Sequence, residues 1–245
     1  MTFSLRQLRD HGFLYLSIVC AILLVARLAY SCLANPNNYP INTFKIVANY
    51  KHVTREQLET ILKRYDQTGF FSIPVEQLSQ DLSKLSWVKA VHVNHVWPDT
   101  LKIKVIEKKP VAIWNQQLMM RDGELFDGTA ADWQQEADTA LPQFTGPKNQ
   151  QLDALQMFQK LSKLLSSYGL RANSLVLRDN QSWELQLTNG VVLRLGKRDT
   201  ERRILRFCQA YPVVFSDKIE HLSVVDLRYV HGMAAQWKET NKKAG

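Results

Sequence analysis

Residues 87–110 read WVKAVHVNHVWPDTLKIKVIEKKP. Val91 and Val93, then Leu101, Ile103 and Val105, alternate with His92, Lys102 and Lys104. A period of two places one side chain set in a core and the other in water. Trp97-Pro98-Asp99-Thr100 supplies the turn between the two strands. The stretch is therefore predicted to be a β-hairpin with an outer face of lysine and histidine. Lys102 and Lys104 admit two readings, protection of a sheet edge or a recruitment surface for a partner.

Upstream, the pattern changes period. Phe44, Ile46 and Ala48 alternate as a short strand. Thr54-x-x-Gln57 is a capping box, and Leu58, Ile61, Leu62 and Tyr65 form the apolar face of the helix it opens. Gly69 is expected to stop that helix. Pro74, at a first helical position, starts a second one with Val75, Leu78, Leu82 and Leu85 inward. The order over residues 42–110 is β-α-α-β-β.

Before this unit, Pro36 and Pro40 among three asparagines mark a stiff linker over residues 34–41. Residues 13–26 carry no charge, Arg27 interrupts, and apolar character continues to residue 34. Two readings compete. Arg6 and Arg9, an apolar core and Ala29-x-Ser31 would suit a cleaved signal peptide. Alternatively residues 13–33 form a transmembrane helix, with Arg27 snorkelling to the headgroups. Either way the bulk of the chain is exported. The absence of Lys and Arg between Leu28 and Phe44 leaves the N-terminal tail, residues 1–12, on the cytoplasmic side.

Downstream, residues 111–238 read as strands with two helices. Val111 to Trp114 and Leu118 to Met120 flank the approach to an Asp122-Gly123 turn. Leu152, Leu155, Phe158, Leu161, Leu165 and Tyr168 form a helical stripe expected in the core. Three strands follow, at residues 175–177, 183–187 and 191–195, the last two joined at Asn189-Gly190. Asp199 or Thr200 caps a helix carrying Ile204, Phe207 and Cys208. Residues 221–229 and 233–237 close the sheet and are expected to form its edge. Residues 239–245 are a C-terminal tail. The fold class is α+β: a transmembrane helix, a β-α-α-β-β domain, then a mostly antiparallel β domain with two helices.

The bulk numbers exclude little by themselves. The net charge is +8 over 245 residues, but the basic residues are scattered and no nucleic-acid motif accompanies them, so no nucleic-acid partner is expected. Three cysteines, Cys20, Cys32 and Cys208, cannot build a disulfide framework and read as small buried apolar residues. Ser86-x-x-Lys89 matches a penicillin-binding signature but straddles a helix end and a strand, without the partner motifs. His92 and His95 are three apart in a strand and face opposite sides. No histidine has ligand spacing, and no glycine-rich phosphate loop occurs. No catalytic residue, metal, cofactor or small-molecule substrate is expected. An outer-membrane barrel is excluded by the helices and the shortness of the strands.

The ordered set of stretches carries a resemblance. The β-α-α-β-β unit ending in WVKAV…WPDTLKIKVIEKKPVAIW, then LPQFTGP at 141–147, LRLGKRDTERRILRF at 193–207, and VDLRY at 225–229 with Trp237, resemble the FtsQ/DivIB family of bacterial cell-division proteins. The resemblance implies a POTRA domain for the first unit and an uncleaved, single-pass anchor in the inner membrane. It further implies a non-enzymatic, largely periplasmic scaffold at the division septum, which binds FtsB and FtsL and links early to late division proteins. The positions it marks for the partner are Arg228, Tyr229, Gly232 and Trp237 in the last hairpin, with Lys197 in a neighbouring turn. Blander readings stand beside these. Tyr229 and Trp237 would cover their own core, Gly232 would serve only a hairpin turn, and Lys197 would be a solvated charge. An alternative function is a soluble or membrane-tethered periplasmic POTRA adaptor for secretion or envelope assembly.

Overall fold

Thr54 and Gln57 close the reciprocal cap that their spacing demands, each side chain meeting the other's backbone N–H. The helix they open, α2 (Arg55–Leu62), buries Leu58 and Leu62. These elements come from a computed structural model that describes residues 5–35, 37–128, 133 and 140–238. Pro36 of the linker and the C-terminal tail, residues 239–245, lie outside the described residues. The chain divides after Lys108 into two units.

In the first unit, α1 (Leu5–Ala34) is a continuous helix. Its segment Tyr15–Leu33 is 19 residues long, apolar and fully unburied, about the length a hydrocarbon core requires. Cys20 and Cys32 are exposed on it rather than buried, which corrects the expectation from composition. Over Tyr15–Leu33 no described part of the protein packs on the helix, so the side chains there face outward.

Strand β1 (Thr43–Val47) is followed by α2, a 3₁₀ turn at Lys63–Tyr65, α3 (Val75–Ser83), β2 (Val88–Val96) and β3 (Thr100–Glu107). The α-helix yields to the tighter turn at Lys63, before Gly69, which instead bridges to Pro40. Pro74 is the N-cap of α3 rather than its first residue. Strand β3 pairs antiparallel with β2 and parallel with β1. Leu101, Ile103 and Val105 of β3 are buried with Leu58, Leu62, Leu78 and Leu82 of the helices, so the helices cover one face of a three-stranded sheet. Lys102 and Lys104 project from its other face.

The sheet order β1-β3-β2 overturns one expectation. Strand β3 is the middle strand, so Lys102 and Lys104 do not guard an edge. Sequence order made the hairpin look terminal. The parallel return of β1 covers its second strand.

The second unit is a nine-stranded sheet in the order β12-β11-β10-β9-β8-β7-β4-β5-β6. Its strands are β4 (Ala112–Trp114), β5 (Gln117–Met119), β6 (Leu125–Phe126), β7 (Gln143–Thr145), β8 (Ala172–Leu177), β9 (Trp183–Leu187), β10 (Val192–Gly196), β11 (Leu222–Asp226) and β12 (Ala234–Trp237). Helix α4 (Gln151–Ser166) links the parallel pair β7–β8, and α5 (Thr200–Ala210) lies within the connection between the parallel pair β10–β11. The remaining pairs are antiparallel except β4–β7. Same-direction neighbours need a crossover, and the two helices provide it.

Both helices pack on the sheet and on each other. Leu155, Leu161 and Leu165 are buried as their spacing predicts, but Leu152 and Tyr168 are exposed. Ala154 takes a core position instead. The stripe drifts because a row spaced three and four apart winds slowly around a straight helix. Ile204, Phe207 and Cys208 of α5 are fully buried, and burial pushes the Cys208 thiol up to about 11. That cysteine is inert packing material.

Candidate partner-binding edge

Strand β12 ends the large sheet, as the chain order predicted. It pairs with β11 on one side, Ala234 opposite Asp226 and Trp237 opposite Leu222. All four of its residues are exposed. Lys238 donates its N–H to the His221 carbonyl at 2.7 Å. Because N–H directions alternate along an antiparallel strand, Gln236 and Ala234 also face β11, and Ala235 and Trp237 turn their N–H groups outward.

Apolar side chains flank the strand at both ends. Tyr229 is 59% exposed and belongs to no core, so it does not cover the domain's own interior. Trp237 leans on buried Phe215, ring centroids 6.3 Å apart, yet remains 42% exposed. Residues 229–234 line a shallow hollow of about 440 Å³. Gly232 borders it, has no left-handed backbone, and has open space where a Cβ would sit. The turn's own geometry therefore does not require glycine there.

Two arginines fix the segment between the strands. Arg228 grips Asp226 through its Nε and Nη2, with contacts of 2.5–3.0 Å. That side-chain bonding holds the Asp226 carboxyl below the usual carboxylate range. Arg206, projecting from α5, donates to the carbonyls of Leu227, Tyr229 and Val230 at 3.0, 2.9 and 2.8 Å. One planar fork thus holds three carbonyls of a single short segment in place. Gly196 sits beneath the Arg228 stem, and a Cβ there would lie 3.3 Å from Arg228 Cγ and 2.6 Å from Arg203 Nη1. The end of β10 is thereby brought against Arg228, and exposed Lys197 follows directly.

Arg206, Phe215 and Gly196 were not singled out from the sequence. An arginine beside the core residue Phe207, at the flank of the apolar face of α5, was the available signal for Arg206. Gly196 offered none, since only the left-handed φ of 77° reveals its need. Lys102 and Lys104 lie in the other unit, so they are not part of this edge.

Two family models match the chain. "POTRA domain, FtsQ-type" covers residues 39–108, and "Cell division protein FtsQ/DivIB, C-terminal" covers residues 112–228. A Coxiella burnetii protein described as cell division protein FtsQ is 33% identical over 84% of this chain and 84% of its own length. The chain belongs to the FtsQ/DivIB family of cell division proteins. Family proteins from Nitrosospira multiformis and Aliivibrio fischeri are 33% and 28% identical, over 76% and 97% of this chain and 76% and 93% of their own lengths. Membership and the apolar α1 together fit a single-pass membrane protein. The FtsQ/DivIB C-terminal match includes Lys197 and ends at Arg228, and Tyr229, Gly232 and Trp237 lie just beyond it.

Chemistry for catalysis is not evident at this edge. Among the described residues, no three His, Cys, Asp or Glu side chains come together as a metal site. The rings of His95 and buried Phe70 are 4.9 Å apart, while His92 faces out.

Proposed function

We propose that this protein is a non-enzymatic scaffold of the division machinery, anchored by α1 in the inner membrane with its bulk in the periplasm at the septum. Its C-terminal edge takes a strand from FtsB, and through FtsB it holds FtsL, joining early to late division proteins. The observation that supports this most is the outward-facing β12 strand with exposed aromatic groups at either end. Edges left open and apolar aggregate unless something pairs with them. Main-chain hydrogen bonds to β12 would supply affinity, and Tyr229 and Trp237 specificity. Arg228 and Lys197 give the edge a positive rim suited to a partner carboxylate, and Gly232 leaves room for an approaching backbone.

The assignment is tested by pull-down of FtsB with full-length protein in detergent. Tyr229→Ala and Trp237→Ala each lower FtsB affinity about thirtyfold or more, the cost of truncating a central aromatic anchor at about 2 kcal/mol. Tyr229→Ala leaves thermal unfolding unchanged, whereas Trp237→Ala lowers stability by about 1 kcal/mol through its contact with Phe215. Wild-type affinity in both variants would remove this edge as the site. An adaptor for secretion or envelope assembly has no observation in its favour beside the FtsQ-type family matches.

A further inference from the structure

The first unit has a second exposed aromatic set, at the end of the sheet where the chain leaves α1. Trp97, at the tip of the β2–β3 hairpin, is 78% exposed, Phe71 is 51% exposed, and Val96 and Tyr39 are also exposed. They share one end of the unit. The Asp99 carbonyl in the hairpin turn accepts from the N–H groups of Asn42 and Thr43 at 3.1 and 3.4 Å, and the Asn42 amide reaches the Asp99 carboxylate at 3.0 Å. Phe70 donates its N–H to the Tyr39 carbonyl at 2.8 Å, and the rings of Tyr39 and Phe71 meet edge-on at 5.4 Å.

This end is tethered closely to the apolar helix. Tyr39 lies five peptide steps beyond Ala34, the last residue of α1, so even a straight chain allows no more than about 18 Å. The tether is not straight. Asn38 donates through its side chain to the Cys32 carbonyl at 3.0 Å, and Tyr39 donates its N–H to the Asn35 carbonyl at 3.3 Å. Tyr39 is thus held one hydrogen-bonded turn from the end of the span. The interfacial layer of a bilayer is roughly 5–8 Å thick on each side. Tryptophan and tyrosine, with one apolar and one polar end, favour that layer.

We propose that Trp97, Phe71 and Tyr39 form a second membrane contact, seated in the headgroup–acyl boundary of the same bilayer that α1 crosses. The occupant of this apolar tip is lipid, because the tether holds the tip beside the membrane. The contact adds a second point of attachment beside α1 and so fixes the orientation of the POTRA unit against the membrane. The inference rests on α1 being a span.

The test uses full-length protein in vesicles of phosphatidylethanolamine and phosphatidylglycerol whose acyl chains carry bromine at shallow or deep positions. Bromine quenches tryptophan on contact, and the chain has six tryptophans. Subtracting the emission of Trp97→His isolates the Trp97 contribution, and its exposure makes that variant safe for folding. The expected result is strong quenching of that contribution by shallow bromines and less by deep ones. Phe71→Trp added to Trp97→His restores a shallowly quenched component. If the chain is extracted by alkaline carbonate, the membrane-span reading of α1 fails first. A retained chain in which neither the Trp97 emission nor the component added by Phe71→Trp responds to either lipid overturns the tip contact alone. So does a tip that becomes shielded only when another protein is added.

Discussion

Arg206 illustrates how one side chain can set the form of a segment it does not belong to, here the one proposed to dock a partner. Its guanidinium is the shared partner of three carbonyls between Leu227 and Val230, while its Nε is buried without an acceptor among the described residues. Hydrogen bonds from a charged donor contribute roughly 1.5–3 kcal/mol each, less when shared. Arg206→Met is therefore expected to destabilise the second unit by about 2 kcal/mol and to speed amide exchange at residues 228–232 ahead of the rest of the sheet. Arg206→Lys, a point charge without the fork, recovers only part of this. The Asp226–Arg228 pair gives a second, pH-dependent handle. Its folded carboxyl titrates below the ordinary value because Arg228 bonds to the charged form. A depressed acid contributes stability that is fully present above about pH 4 and is lost as the pH falls through the lowered value. Arg228 is 57% exposed, so solvent screening keeps the contribution small. Acid titration of unfolding should show a shallower acid limb in Asp226→Asn than in wild type. Identical limbs would mean the pair adds nothing to the fold.

Strand β12 is useful because one side of it is spoken for and the other is not. The ladder to β11 uses the N–H groups of Ala234, Gln236 and Lys238 and leaves that of Ala235 pointing outward. Proline lacks an N–H and is tolerated in sheets only where that group faces away from the ladder. Ala235→Pro should therefore preserve the fold, by circular dichroism and melting, yet abolish FtsB binding by removing a donor from the free side. Loss of folding would mean the alternation along β12 is misassigned, and retained binding would mean the partner does not add as a strand. The sequence made the two strands of this edge legible, because β11 and β12 fall within two separate runs read there as strands. The capping box at Thr54 and the hairpin at residues 97–100 were equally plain, because their chemistry is local. What the pattern could not give was strand order. Nothing in Thr43–Val47 says that it inserts parallel beside β3, or that β7, β8 and β10, β11 are brought together by helical crossovers. Those neighbours are chosen by packing over long sequence separations. The site suffered the same way: exposed Tyr229 and Trp237 were visible as residues, while the arginine that holds the Tyr229 carbonyl sits 23 positions upstream.

With the proposed partner edge in the second unit, the POTRA unit's outer face is left to be explained. On that face Lys102 of β3 lies opposite Lys45 of β1 and Asn94 of β2, and Lys104 lies beside His92. Lys45 was not singled out in the sequence, since its neighbour across the sheet could not be read there. Like charges directly opposite on neighbouring strands cost stability. They are not repaid by edge protection, because β3 is paired on both sides. In a chain of net charge +8, a lysine pair held at such a cost suits an acidic partner surface. Reversing the charge at both Lys102 and Lys104 is expected to leave melting unchanged or slightly higher, as the Lys45 repulsion becomes attraction. Solubility should not fall, which separates this outcome from edge protection. Midcell localisation of a fluorescent fusion should drop in the double variant, while FtsB binding through β12 persists. Normal localisation with an intact fold would leave Lys102 and Lys104 without a recruitment role, and lost FtsB binding would show that the face acts on the C-terminal edge rather than on an independent partner.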